Sequence, residues 1–179
     1  MLLSPQISAH SRNIRLCRIL IAAFAIASML CATTGCDRSA RPQQLGTPAP
    51  LFTVTDGTQT VALADYRGRI VILNFWATWC APCVEELPTL VALAHQDPQI
   101  TVLAVSTDDD ADAYTRFLAD HPMPGIVTIR DGAQRSNTLY GSLRFPESYI
   151  IDRNGTLRRK FIGPQVWTSP ELADYLSKL

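Results

Sequence analysis

Long hydrophobic runs are missing from this sequence. Its main apolar stretch, Ile19 to Leu30 (ILIAAFAIASML), has twelve residues. As a helix it would rise about 18 Å, well short of the roughly 30 Å of a bilayer core. Net charge is missing too, because sixteen Lys and Arg balance sixteen Asp and Glu. The chain therefore lacks the basic surplus of a nucleic-acid binder. Histidine is scarce. Beyond residue 36 only His95 and His121 occur, each far from the other in sequence, and a structural metal site needs about four ligands. No internal repeat is visible. What is present is 47% hydrophobic and 18% charged residues over 179 positions. That composition excludes a disordered chain and suits one globular domain with an appendage.

The appendage is N-terminal. Arg12, Arg15 and Arg18 precede the apolar stretch and small residues follow it. This order reads as a secretory leader, the alternative being a short membrane anchor. Beyond Cys36 thirteen basic residues face sixteen acidic ones, a net of −3. Thr33-Thr34-Gly35-Cys36 resembles a bacterial lipobox, although Thr33 stands where leucine is usual. The resemblance implies cleavage before Cys36 and lipidation of its sulfur, and two or more acyl chains would anchor the protein stably. Otherwise Cys36 is a thiol beside an ordinary cleavage site. Asp37 resembles an inner-membrane retention signal of enterobacteria. The expected division is a lipoprotein-type leader over 1–35, a flexible tether over 36–50 (polar and proline-rich) and a folded domain over 51–179.

Within the domain, Ile70–Phe75 and Ile100–Ser106 are continuously apolar and β-branched. Strands of that kind are buried on both faces, as parallel strands are in α/β folds. A helical pattern from Pro82 to His95 lies between them, which makes a βαβ unit. Further helices are predicted over Asp109–Ala119 and around Ala133–Tyr140, with a strand at Ile126–Arg130. Asn154-Gly155 predicts a hairpin joining Ser148–Ile151 to Thr156–Ile162. Ser169-Pro170 opens a final helix, and Asp56-Gly57 centres an earlier hairpin within Phe52–Leu63. The fold class is α/β, a central mixed sheet flanked by helices with an N-terminal β-hairpin extension.

Cysteine is the informative residue. Five occur. Cys17 and Cys31 would leave with the leader and Cys36 would be lipidated, so only Cys80 and Cys83 remain. They stand where a buried strand gives way to a helix. Free amide hydrogens and the helix dipole at that point favour a thiolate, and thiolate is the species that attacks disulfides. Ala81-Pro82 presets the turn between them. As a staple the pair is weak, since closing about four residues is worth only about 2 kcal/mol. As a haem-attachment motif it lacks the histidine, because Val84 follows Cys83.

The stretch Trp79-Cys80-Ala81-Pro82-Cys83 and the later Glu86-Leu87-Pro88 resemble the thioredoxin superfamily. Gly46-Thr47-Pro48-Ala49-Pro50-Leu51-Phe52, Leu63–Val71 and Phe145-Pro146-Glu147-Ser148-Tyr149-Ile150-Ile151-Asp152 narrow the resemblance. They are similar to the membrane-tethered thiol:disulfide reductases of the TlpA, ResA and cytochrome c maturation type. The resemblance implies a thioredoxin-like fold, no diffusible cofactor, protein substrates with cysteine pairs, a membrane thiol electron donor, and a lipid-anchored monomer on the periplasmic side of a bacterial inner membrane. It implies that Cys80 attacks and Cys83 resolves, that Pro146 is a cis-proline facing them, and that Glu86 tunes the thiols and moves protons. Trp79, Ala81, Pro82 and Phe145 would wall the site.

Glu85 is read only as a first-turn carboxylate, and Trp76 as core. Asn74 stands where thioredoxins carry a titrating aspartate. Asp108-Asp109-Asp110 is read as a helix-start cluster and Arg158-Arg159-Lys160 as a solvated strand face. Pro88 is expected to kink its helix. Two other functions stay open on the sequence, a copper or haem chaperone using Cys80 and Cys83 as ligands, and a peroxiredoxin-like peroxidase.

Overall fold

The structure, a computed structural model, describes residues 45–179. The expected leader, Cys36 and the first part of the expected tether lie outside the described residues. Strand β3 (Ile70–Trp76) is buried at all seven positions, as is β4 (Ile100–Ser106). They pair in parallel, and β5 (Ile126–Arg130) adds in parallel to β4. On the other side β6 (Glu147–Ile151) runs antiparallel to β3, and β7 (Leu157–Ile162) antiparallel to β6. The sheet order is β5-β4-β3-β6-β7, with β1 (Thr53–Thr55) and β2 (Thr60–Ala62) forming a separate antiparallel hairpin. The mixed α/β, thioredoxin-like sheet and the N-terminal hairpin are those expected from the sequence.

Successive side chains of β3 point to opposite faces. Ile70, Ile72 and Trp76 join one core with Leu87, Leu90, Trp167 and Leu172. Val71, Leu73 and Phe75 join the other with Val54, Val61, Tyr140 and Tyr149. The first core lies under α1 (Ala81–Gln96), α2 (Ala111–Asp120) and α4 (Pro170–Leu176); α3 (Arg135–Leu139) is short. Pro88 lies inside α1 without ending it. Leu90 is fully buried at the centre of that helix. Leu90→Ala should therefore lower unfolding stability by about 2–5 kcal/mol in urea titrations, the usual cost of a cavity left in a packed core.

Two expectations need correction and a third is met. The tether does not extend to Pro50. Gly46 N–H donates to Leu157 O at 2.7 Å and Ala49 N–H to Gly155 O at 2.9 Å, and Ala49 is buried. Proline cannot donate, but the amides around it can, and they join this segment to the start of β7. The expected β6–β7 hairpin is present, and its connection does not use two positive φ angles. Only Gly155 has one (φ 73), Gly155 N–H donates to Asp152 O, and the Asp152 carboxylate accepts from Asn154 and Thr156 N–H, both at 2.9 Å. The three aspartates also part company. Asp110 alone caps α2, accepting from Asp112 and Ala113 N–H, while Asp108 turns inward and is 2% exposed.

Candidate active site

Strand β3 delivers its C-terminal end to a tight turn, Ala77 to Cys80, closed by Cys80 N–H donating to Ala77 O at 3.1 Å. Cys80 is then the N-cap of α1, and its carbonyl accepts from Cys83 and Val84 N–H at 3.0 and 3.1 Å. The two cysteines form a disulfide with Cα atoms 5.3 Å apart. Cys83 is 1% exposed and Cys80 6%. Ala81 and Pro82 are exposed beside them.

Trp79 is 68% exposed, and its ring meets that of Phe145 edge-on with centroids 6.1 Å apart. Phe145 also packs against the core that contains both cysteines. The Phe145–Pro146 peptide bond is cis. Pairing of Phe75 with Glu147 puts Pro146 beside the end of β3, the same end that leads to Cys80. The Pro146 carbonyl already accepts from Gly163 N–H at 2.9 Å. Trp79, Cys80, Ala81, Pro82, Cys83, Phe145 and Pro146 thus gather at one sheet edge, the usual position for a site in an open α/β sheet.

Glu86 lies one helical turn beyond Cys83 and is 2% exposed. Its Oε1 accepts from Trp167 Nε1–H at 2.5 Å and from Gln165 N–H at 3.0 Å. Its Oε2 accepts from Asn74 Nδ2–H at 3.3 Å, and the same amide donates to Ser148 Oγ at 2.9 Å. Burial raises the Glu86 pKa from 4.5 to about 7, against the lowering influence of the three donors. Asn74 Oδ1 is buried with no hydrogen-bond partner among the described residues. Turning that amide over would offer Oδ1 to a protonated Glu86. Glu85, next to it, is exposed, in keeping with its reading as an ordinary first-turn carboxylate.

Sequence reading passed over three contributors. Trp167 sits in a loop without periodicity, yet it is fully buried. A tryptophan in a core needs an acceptor for its N–H, and a buried carboxylate is the natural one. Glu147, buried next to Pro146, pairs with Lys160 at 2.8 Å and accepts a short hydrogen bond from Tyr149 Oη–H. Lys160 therefore leaves the solvated face expected for Arg158-Arg159-Lys160. Asp108 accepts from Thr78 N–H and Oγ1–H. Among the described residues no group of three or more His, Cys, Asp or Glu is arranged to hold a metal, and no helix is long and apolar enough to cross a membrane.

A redox-active cysteine pair at a helix start on this sheet defines a thioredoxin-like thiol–disulfide oxidoreductase. The sequence model of the AhpC/TSA family matches residues 45–160, and the chain belongs to that family. Among characterised relatives it is similar to the thiol-disulfide oxidoreductase ResA of Bacillus anthracis, 34% identical over 76% of this chain and 79% of that protein. It is also similar to the thiol:disulfide interchange protein DsbE of Pseudomonas aeruginosa, 32% identical over 73% of this chain and 76% of that one. A crystal structure described as a DsbE from Chlorobium tepidum superimposes with a TM-score of 0.70 at 29% identity, covering 75% of this chain and 96% of that chain.

Proposed function

We propose that this oxidoreductase is a reductant of protein disulfides, tethered to the outer side of a bacterial inner membrane by lipid on Cys36. Cys80 is the attacking thiolate and Cys83 the resolving thiol. The observation that carries this division is their unequal exposure, 6% against 1%, beside an exposed tryptophan. Attack by Cys80 on a substrate disulfide forms a mixed disulfide and releases one substrate thiolate. Cys83 then attacks the Cys80 sulfur and frees the second thiol, so two electrons pass from protein to substrate. A thiol-transfer protein in the membrane returns the dithiol.

Glu86 is the group that supplies and removes protons near neutral pH. The backbone at Phe145-Pro146 receives the substrate strand, and Trp79, Ala81, Pro82 and Phe145 wall it. Apocytochrome c haem-site thiols are the first proposed target, because the sequence motifs resemble reductases of the cytochrome c maturation type. Copper-site cysteines and misoxidised proteins share the chemistry. The protein acts as a monomer without a diffusible cofactor.

The test is the reduction potential of the Cys80–Cys83 couple. A reductant should lie below the glutathione range of about −220 mV, and a value near the −120 mV of strong oxidants would reverse the direction. Trp79→Ala should lower kcat/KM for a folded protein substrate by about tenfold while sparing small disulfides, as loss of an aromatic anchor at a contact surface does. Equal losses on both substrates in stopped-flow assays would remove Trp79 from substrate contact.

A further inference from the structure

We propose that Asp108 and Thr78 form a clamp that holds the active-site turn when the disulfide opens, which makes Asp108 a positioning residue for the redox couple. The inference rests on Cys80–Cys83 being that couple.

Asp108 lies just beyond the C-terminal end of β4, across from the turn. Asp108 is 2% exposed, and three of the hydrogen bonds to its carboxylate come from Thr78. Thr78 N–H donates to Oδ2 at 3.0 Å and to Oδ1 at 3.2 Å, and Thr78 Oγ1–H donates to Oδ1 at 2.7 Å. Ser106 Oγ–H donates to Oδ2 at 2.6 Å and orients the group. The backbone behind it is fixed as well, because Arg130 Nη1–H donates to Asp108 O at 3.1 Å and Thr107 N–H to Trp76 O at 2.9 Å. Thr78 is the second residue of the turn that ends in Cys80. Two residues further on stands the reacting sulfur.

In the disulfide form this turn is held by the Cys80–Cys83 bond, the Cys80 N–H to Ala77 O bond, the Cys83 and Val84 N–H bonds to Cys80 O, and the clamp. Reduction removes the first. The dithiol form then depends on the clamp more than the disulfide form does. Its loss should raise the free energy of the reduced state selectively, through the conformational freedom regained by the turn.

The experiment equilibrates the described couple with glutathione, protein disulfide + 2 GSH ⇌ protein dithiol + GSSG, in wild type, Asp108→Ala, Asp108→Asn and Thr78→Val. Asp108→Ala should shift the constant toward the disulfide by about tenfold, which is about 30 mV for a two-electron couple. Thr78→Val, which keeps the carboxylate and the amide bond, should shift it the same way by less, and it carries the test if Asp108→Ala does not fold. Asparagine can still accept from Thr78 N–H, so Asp108→Asn should stay near wild type. An Asp108→Asn shift as large as that of Asp108→Ala would assign the effect to charge and overturn the clamp. So would an unchanged constant in Asp108→Ala, or equal destabilisation of its two redox forms. Wild-type protein that fails to exchange with glutathione at all would instead remove the redox reading on which the clamp rests.

Discussion

Cys80→Ser will reduce disulfide exchange to the rate of the uncatalysed reaction, whereas Cys83→Ala will accumulate a long-lived mixed disulfide with its substrate. The asymmetry follows from geometry. Attack requires an in-line approach to a sulfur, and Cys83, at 1% exposure, sits behind its partner. Cys80 caps α1, where the amide hydrogens of the first turn and the positive end of the dipole stabilise its thiolate. Without Cys83 the first exchange still proceeds, but the second sulfur needed to release the product is gone. Neither variant should unfold, because closing so short a loop contributes only about 2 kcal/mol. Non-reducing electrophoresis followed by mass spectrometry reads the outcome and names the trapped partner. Equal trapping by Cys80→Ser would show that this division of roles is wrong.

Glu86 should make folding stability fall as pH rises from 4.5 to about 7. Its pKa is raised in the folded state, chiefly by burial. Between those two values the folded protein holds a proton that the unfolded chain has released. The stabilisation is therefore complete below pH 4.5 and is lost as pH passes through 7, a span of about 3 kcal/mol. Subtracting the urea-derived profile of Glu86→Gln from that of wild type isolates this group from the other carboxylates. The difference should slope between pH 4.5 and 7 and be flat outside. Trp167→Phe removes a donor that favours the charged form, so it should move the upper edge of the slope to higher pH. A difference profile without slope would mean that Glu86 titrates normally and has no proton to give near neutrality. The same inflection should appear in the pH–rate profile of thiol exchange if Glu86 serves the cysteines.

Much of this was legible in the sequence because the signals were local. Two unbroken β-branched runs, a proline-marked helix start and a cysteine pair between them placed β3, α1 and β4 within a residue or two. Pairings that need side chains from distant segments were not legible. Trp167 reaches Glu86 across eighty-one positions and Thr78 reaches Asp108 across thirty; no periodicity announces either contact. Asp108 was misread for a related reason. Three adjacent aspartates look alike in a list, yet only one is the last residue before the helix, and the strand pleat decides which one turns inward. Gly46–Pro50 was misjudged because proline-rich composition describes local stiffness and says nothing about whether the flanking amides find acceptors on a neighbouring strand.

Past Leu157, which bonds to Gly46 and Thr47, the edge strand β7 has no strand beyond it among the described residues. Arg158 and Arg159 stand on it, with Arg159 lying over the rings of Phe161 and Tyr175 and Lys160 pinned to Glu147. Cations along a sheet margin discourage a passing extended chain from adding itself there. Under the proposed function the protein meets cysteine-bearing polypeptides, some of them extended. The guarded margin leaves the sulfur end as the place where a client can settle, so that contact leads to electron exchange rather than to entanglement.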